Sequence, residues 1–144
     1  MSRSKPSNGL RRLVDLRERD VDRLTAEVAA KQAVRERYLG NLARLEQLCD
    51  GTGASGALPP VLSLNCAAYK QNVMLVAEAH RADLKLHEAD MALSQQALQA
   101  AALRREVLGQ VHERQCRELR REQDAGEQKR QDELASQVWW RGRS

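Results

Sequence analysis

Phenylalanine is absent from this chain, and two tyrosines and two tryptophans are its only aromatic residues. Aromatic side chains normally supply much of a core's buried area, so a compact fold of several layers is poorly provided for. The three cysteines, Cys49, Cys66 and Cys116, form no Cys-x-x-Cys and no Cys/His pair at zinc-ligand spacing. An odd number of well-separated thiols suits a reducing compartment and not a disulfide scaffold. No apolar run approaches the roughly 20 residues that cross a bilayer. Met1-Ser2-Arg3-Ser4-Lys5-Pro6 leads into a charged stretch and not into the apolar segment of a signal peptide. These absences predict a soluble, cytoplasmic chain with no transmembrane segment.

Charge of one sign is also missing as a block. The net charge of +4 is the difference between 24 basic and 20 acidic residues. The signs alternate through most of the sequence, and only the termini lean basic, through Arg3, Lys5, Arg11 and Arg12 and then Arg141 and Arg143. A nucleic-acid binder segregates its positive charge on one face or arm, so no nucleic-acid partner is expected. What the chain does contain is Ala, Leu, Glu, Gln and Arg, with 31% of residues charged, the usage of long helices and coiled coils. At 144 residues it has the length of a single domain.

Two punctuation marks divide it. Pro6-Ser7-Asn8-Gly9 offers Ser7 or Asn8 as a helix cap. The run from Gly51 to Pro60 holds three glycines and paired prolines and cannot sustain a helix. The pattern predicts helix 1 from about residue 9 to 49, a turn over about 50–60, helix 2 from about 61 to 138, and a tail over 139–144.

On helix 1, alternating steps of four and three pick out Leu10, Val14, Arg17, Val21, Leu24, Val28, Lys31, Arg35, Tyr38, Leu42, Leu45 and Cys49. This is a coiled-coil seam with three charged interruptions, where Lys31 and Arg35 lay their stems along the seam and project their charges outward. On helix 2 the same steps give Leu75, Ala79, Ala82, Leu86, Ala89, Leu93, Gln96, Ala100, Leu103 and Val107 as its seam. A further row, Leu84, Met91 and Leu98, repeats every seven residues on another side, as a widened core face or a docking strip.

The expected architecture is therefore all-α, a long antiparallel two-helix coiled-coil hairpin with a protruding C-terminal helix. A turn centred near residue 55 would set Leu10 opposite about residue 100 and leave the end of helix 2 without a partner. There, from His112 to Glu133, Glu113–Arg117, Arg114–Glu118, Arg120–Asp124 and Lys129–Glu133 offer i,i+4 charge pairs. The overhang would reach on the order of 45–50 Å.

Candidate chemistry is sparse. His80, His87 and His112 are spaced by seven and twenty-five and do not form an i,i+4 metal pair, so no metal is expected. No Ser/His/Asp elbow or phosphate loop exists, since Gly51–Gly56 lacks the Lys-Ser/Thr such a loop requires. No enzyme activity and no cofactor are expected. Gly40, Gly109 and Gly126 interrupt helical stretches, through close packing, local flexibility or tolerance. Trp139-Trp140 lies in a basic tail that suits a membrane interface, a partner groove or disorder. The richest cluster flanks the turn: Tyr38, Leu42, Leu45 and Cys49 before it, and Tyr69, Val73 and Val76 after it. Closure of the coiled coil and a protein-binding patch both fit it.

Leu10-x-x-Leu13-x-x-Leu16-x-Glu18, the Gly/Pro turn one-third along, Asn65-x-x-x-Tyr69 and the closing Glu127-Gln128-Lys129-x-x-Asp132-Glu133-x-Ala135 together resemble the flagellar export protein FliJ family. The resemblance covers nearly the whole chain. It implies an antiparallel two-helix coiled coil, similar to the central stalk of rotary ATPases, in the bacterial flagellar type III export apparatus. The implied role is a stalk or chaperone-like link between the export ATPase ring and the cytoplasmic domain of the membrane export gate, with export chaperones as further partners. The protein would be a monomer, cytoplasmic and peripheral to the inner face of the cell membrane at the flagellar base.

By the same resemblance the charged overhang, with Arg114, Arg117, Arg120, Arg121, Lys129 and Arg130, would enter the ATPase ring. The gate would be met by Tyr38, Leu42, Leu45, Cys49, Tyr69, Val73, Val76 and Ala79. Leu42 matches the family's gate-facing pattern, Leu45 and Cys49 occupy aromatic steps with smaller side chains, and Asn72 stands where an aromatic is expected. The alternatives are the equivalent stalk protein of virulence-type injectisomes, or a coiled-coil scaffold that oligomerises through the Leu84–Met91–Leu98 row.

Overall fold

The computed structural model describes residues 8–51 and 59–143. Two α-helices account for nearly all of them, α1 (Asn8–Gly51) and α2 (Pro60–Arg141), and no strand occurs among the described residues. The chain is an all-α helical hairpin. Ser7 and most of the Gly/Pro turn lie outside the described residues.

The helices begin and end where backbone chemistry allows. Pro60 occupies the first helical position of α2, where its missing N–H is not needed, and the Ser63 N–H donates to the Pro59 carbonyl at 3.0 Å. At the other end Arg141 sits in the last turn, favourable against the helix dipole. The Gly142 N–H closes on the Val138 carbonyl at 3.0 Å. Gly40, Gly109 and Gly126 each face open space where a Cβ would stand, so close packing does not account for them.

The chain divides into two compact units: Met1–Val21 with Ala100–Ser144, and Asp22–Gln99. In Asp22–Gln99, Lys31 faces Asp90, Arg35 faces Glu88 and Glu46 faces Arg81, so α1 and α2 run antiparallel. The core here is Leu42, Ala77 and Leu84, with Tyr38 and Leu45 packed against it. Val73 and Met91 are buried further along α2. In the other unit Val21 and Ala101 are buried, and Leu10, Val14, Leu108, His112, Cys116 and Leu119 are half-buried. From Arg120 to Arg143 every residue is exposed.

All twelve residues expected along the α1 seam are buried or half-buried. The α2 seam differs from expectation. Leu75, Ala79, Ala82, Leu86, Ala89, Leu93, Gln96, Ala100, Leu103 and Val107 are all exposed. The row that packs instead runs through Val73, Ala77, His80, Leu84, His87, Met91, Ser94, Leu98 and Ala101. The Leu84–Met91–Leu98 row is thus neither a widened face nor a docking strip but the seam itself. Its neighbours at the intervening steps are polar, which is why a search for apolar repeats passes over it.

The register differs as well. A turn-centred count sets Lys31 opposite about residue 79; it faces Asp90, a displacement of about three turns of α2. The cross-helix ion pairs set the register and the midpoint of the turn does not, so α2 begins about three turns before the level at which α1 ends. Unpartnered helix at the far end shortens accordingly. From Arg120 to Arg141 it spans on the order of 33 Å at about 1.5 Å per residue.

The choice of seam is open to direct test by thermal unfolding. Leu84→Ala is expected to cost about 2–3 kcal/mol as a core truncation, whereas Leu86→Ala, on the opposite face, should stay within about 0.5 kcal/mol. The reverse order would restore the Leu75–Val107 row as the seam.

Candidate functional site

The polar layer of the Asp22–Gln99 unit follows from what α1 brings to its seam. Lys31 and Arg35 occupy seam positions, and their side chains are about two-thirds covered, at 29% and 35% exposed. A covered cation requires an acceptor. Lys31 Nζ lies 2.8 Å from Asp90 Oδ2 and donates also to Ser94 Oγ. Arg35 Nε donates to Glu88 Oε1 at 3.0 Å. The Lys31 bond and charge hold the Asp90 carboxyl below its ordinary value of 3.8, with a smaller contribution from His87. His87 Nε2 lies 2.8 Å from the Lys31 carbonyl and donates to it, which places the ring proton on Nε2.

Two histidines flank one tyrosine beside this layer. The Tyr38 ring lies 4.7 Å from His80 and 5.7 Å from His87, centroid to centroid. His80 Nε2 is buried and has no hydrogen-bond partner. The histidine spacing of seven, which carries no metal pair, is the heptad repeat, and that signal in the sequence was enough to put His80 and His87 on one seam. Among the described residues no group of three or more His, Cys, Asp or Glu is placed to hold a metal ion. No helix among them is long and apolar enough to cross a membrane.

The turn-end candidates divide by face. Leu42 and Val73 are buried; Tyr38, Leu45 and Cys49 are half-buried. These five form or border the helix–helix contact. Leu42 in particular belongs to the core with Ala77 and Leu84, so a charge placed there acts on the hairpin itself. Tyr69, Val76 and Ala79 are exposed and are available to a partner. Between the two sets runs a groove lined by Glu46, Cys49, Lys70, Met74 and Arg81, spanned by the 3.1 Å Arg81–Glu46 ion pair.

The basic candidates Arg114, Arg117, Arg120, Arg121, Lys129 and Arg130 are all exposed. The expected pairs Glu113–Arg117, Arg114–Glu118, Arg120–Asp124 and Lys129–Glu133 are not closed among the described residues. The ion pairs that do form within a helix lie on α1, Arg17–Asp20 and Arg23–Glu27. On an exposed helix, holding two long side chains in one geometry costs about as much entropy as the contact returns. The charges at these positions of α2 are therefore left to solvent. Past them Trp139 and Trp140 pack edge to face at 5.7 Å, and the Arg143 guanidinium sits 4.4 Å over the Trp139 ring.

Comparison with known families gives one result for this chain: the family model described as Flagellar FliJ protein matches residues 7–144. No curated protein and no solved structure matches it.

The polar seam generates two predictions. Because the folded Asp90 carboxyl is held below its ordinary value, its contribution to stability is complete above that value and is lost as pH falls through the lowered one. Asp90→Asn should remove this part of the acid sensitivity in a circular-dichroism titration carried below pH 3.8. The histidines should behave oppositely in thermal unfolding. His80→Leu raises the midpoint by relieving an unpartnered buried nitrogen, and His87→Leu lowers it by removing the bond to the Lys31 carbonyl, each by about 1 kcal/mol.

Proposed function

This chain belongs to the flagellar FliJ family, non-catalytic components of flagellar protein export, and we propose that it links the export ATPase ring to the export gate as a helical stalk. The observation that carries the reading is the end of α2. From Arg120 to Arg143 each residue is exposed, and among the described residues no ion pair along the helix holds Arg120, Arg121, Lys129 or Arg130. A bare charged helix enters a ring of subunits without first shedding partners of its own. Its contacts there are wet and salt-sensitive, and each contributes little alone. Many weak contacts let a ring turn over around its axle.

The gate contact falls to the exposed members of the turn-end patch. Tyr69 offers an amphipathic ring and Val76 an apolar side chain, both more than 40% exposed; aromatic and apolar anchors of this kind dominate protein interfaces. Tyr38, Leu42, Leu45, Cys49 and Val73 support the patch from beneath, by holding α2 against α1. Peripheral association with the inner face of the cell membrane then follows from gate binding and needs no membrane-spanning segment. Export chaperones are further partners on this reading.

Mixing the full chain with the flagellar export ATPase should raise the rate of ATP hydrolysis, while the chain alone hydrolyses none. Truncation after Leu119 should abolish the stimulation and leave the thermal midpoint of the hairpin nearly unchanged. Stimulation that survives the truncation would eliminate the axle role of this segment. Val76→Asp should weaken binding of the gate's cytoplasmic domain by about tenfold with helicity retained.

A further inference from the structure

The back of α2 in the Asp22–Gln99 unit carries a row that the fold leaves uncovered. Leu64, Leu75, Leu86 and Leu93 are 71%, 58%, 72% and 66% exposed, and Ala82 and Ala89 are exposed between them. From Leu75 onward the row keeps the alternating four-and-three steps of a coiled-coil seam. Leu86 follows the buried Leu84 by two positions, about 200° around the helix, so the row lies opposite the hairpin contact. From Leu75 to Leu93 it runs on the order of 27 Å. Scattered exposed leucines require no explanation; a contiguous strip at seam spacing is the mark of a binding surface. A helix apolar on two opposite faces is built to have a neighbour on each.

The flanks select that neighbour. Glu78, Asp83 and Asp90 border the strip against one base, Lys85, and all four are exposed. Lys31 already engages Asp90 from the seam side, whereas among the described residues no ion pair engages Glu78 or Asp83. Two copies of this chain laid strip to strip would meet like charge in either direction. With leucines opposite alanines in antiparallel order, Asp83 of each copy falls beside Asp90 of the other. In parallel order Glu78 of one falls beside Asp83 of the other, and the opposite-charge pair of the same register, Lys85 with Asp90, meets an acid that Lys31 already holds. Such like-charge pairs are destabilising. A helix with basic flanks meets the same borders with opposite charge, and the alanines between the leucines let its backbone approach closely.

We propose that the Leu75–Leu93 strip is the docking site for an amphipathic helix of another protein, apolar at heptad spacing and bordered by Lys or Arg. The occupant adds a third helix beside α2. The surface is distinct from the charged end of α2 and does not depend on the ATPase contact; it adjoins the turn-end patch, with Ala79 in both and Val76 at its edge.

The test titrates the full chain with two synthetic helical peptides of about three heptads. Both carry Leu and Ala at the seam positions; one has Lys at the flanks, the other Glu. The Lys-flanked peptide should bind at least about tenfold more tightly, and added salt should narrow the difference. Leu86→Asp with Leu93→Asp should weaken its binding by at least about tenfold while helicity and the thermal midpoint stay as in the parent, since both side chains face away from the seam. Glu78→Lys with Asp83→Lys, which alters no packed residue, should reverse the preference toward the Glu-flanked peptide. Equal binding of the two peptides, indifference to the Leu86/Leu93 double change, or no binding overturns the proposal. So does a concentration-dependent dimer in sedimentation that the double change abolishes, because the strip would then receive a second copy.

Discussion

Two covered cations decide how this molecule is put together. Lys31 and Arg35 stand in the seam of α1, and neither can be turned fully to water while its neighbours Val28 and Tyr38 face α2. Had α2 presented its more apolar row, Leu86, Ala89 and Leu93 would have lain against both charges, with Asp83 and Asp90 along one edge only and Ser94 and Glu88 turned away, and a covered cation left without an acceptor costs several kcal/mol. The less apolar row brings Ser94 and His87 into the seam and sets Glu88 and Asp90 at its edges. Each cation then has a carboxylate within 3.0 Å. The gain from burying more leucine is smaller than the loss from leaving a covered charge unmet. One comparison of magnitudes therefore fixes both the face of α2 and its register.

Much else follows from that choice. The register places α2 about three turns further along α1 than a symmetric turn would. At its start this leaves Val61, Leu62, Leu64 and Tyr69 exposed. The choice of face leaves the leucine row outside. It also makes the core thin: among the described residues no side chain is fully buried, and three residues, Leu42, Ala77 and Leu84, form its centre. A hairpin with so little buried area gains specificity from its polar layer more than stability. The layer admits one pairing of the two helices, because a slip of one heptad would separate Lys31 from Asp90 and Arg35 from Glu88.

How far the sequence could be read depended on what each helix had to offer. On α1 one row alone carries apolar residues at seam spacing through its whole length, and every member of it turned inward. On α2 two rows compete, and counting apolar residues favours the wrong one. A count scores each helix alone, whereas packing is decided by pairs, and the interruptions of one seam must match those of the other. The information was present, since Lys31 and Arg35 needed acids and Glu88 and Asp90 stood beside the alternative row. The turn-end cluster shows a related limit. Proximity to the turn gathered Tyr38, Leu42 and Tyr69 into one group, but only the seam assignment separates Leu42, which is covered, from Tyr69, which is not.

The same energetics separate the parts of α2 by task. Where cations are covered, each is met by a fixed acid, and the contact is short, directional and resistant to salt. Past Leu119 every described residue is exposed, and no ion pair along the helix closes on Arg120, Arg121, Lys129 or Arg130. There the backbone is held by helix propensity alone, which leaves long exposed segments only marginally ordered in water. On the proposed stalk role, enclosure by the ring would supply the order that the chain does not, and the ordering cost would lower the affinity of the contact. A tight grip would stop a moving ring, whereas a helix that is ordered by its surroundings and released without breaking fixed ion pairs does not. The lack of intrahelical bridges at Arg120, Arg121, Lys129 and Arg130 is therefore consistent with the proposed axle, as the bridges between helices at the seam are with a fixed support.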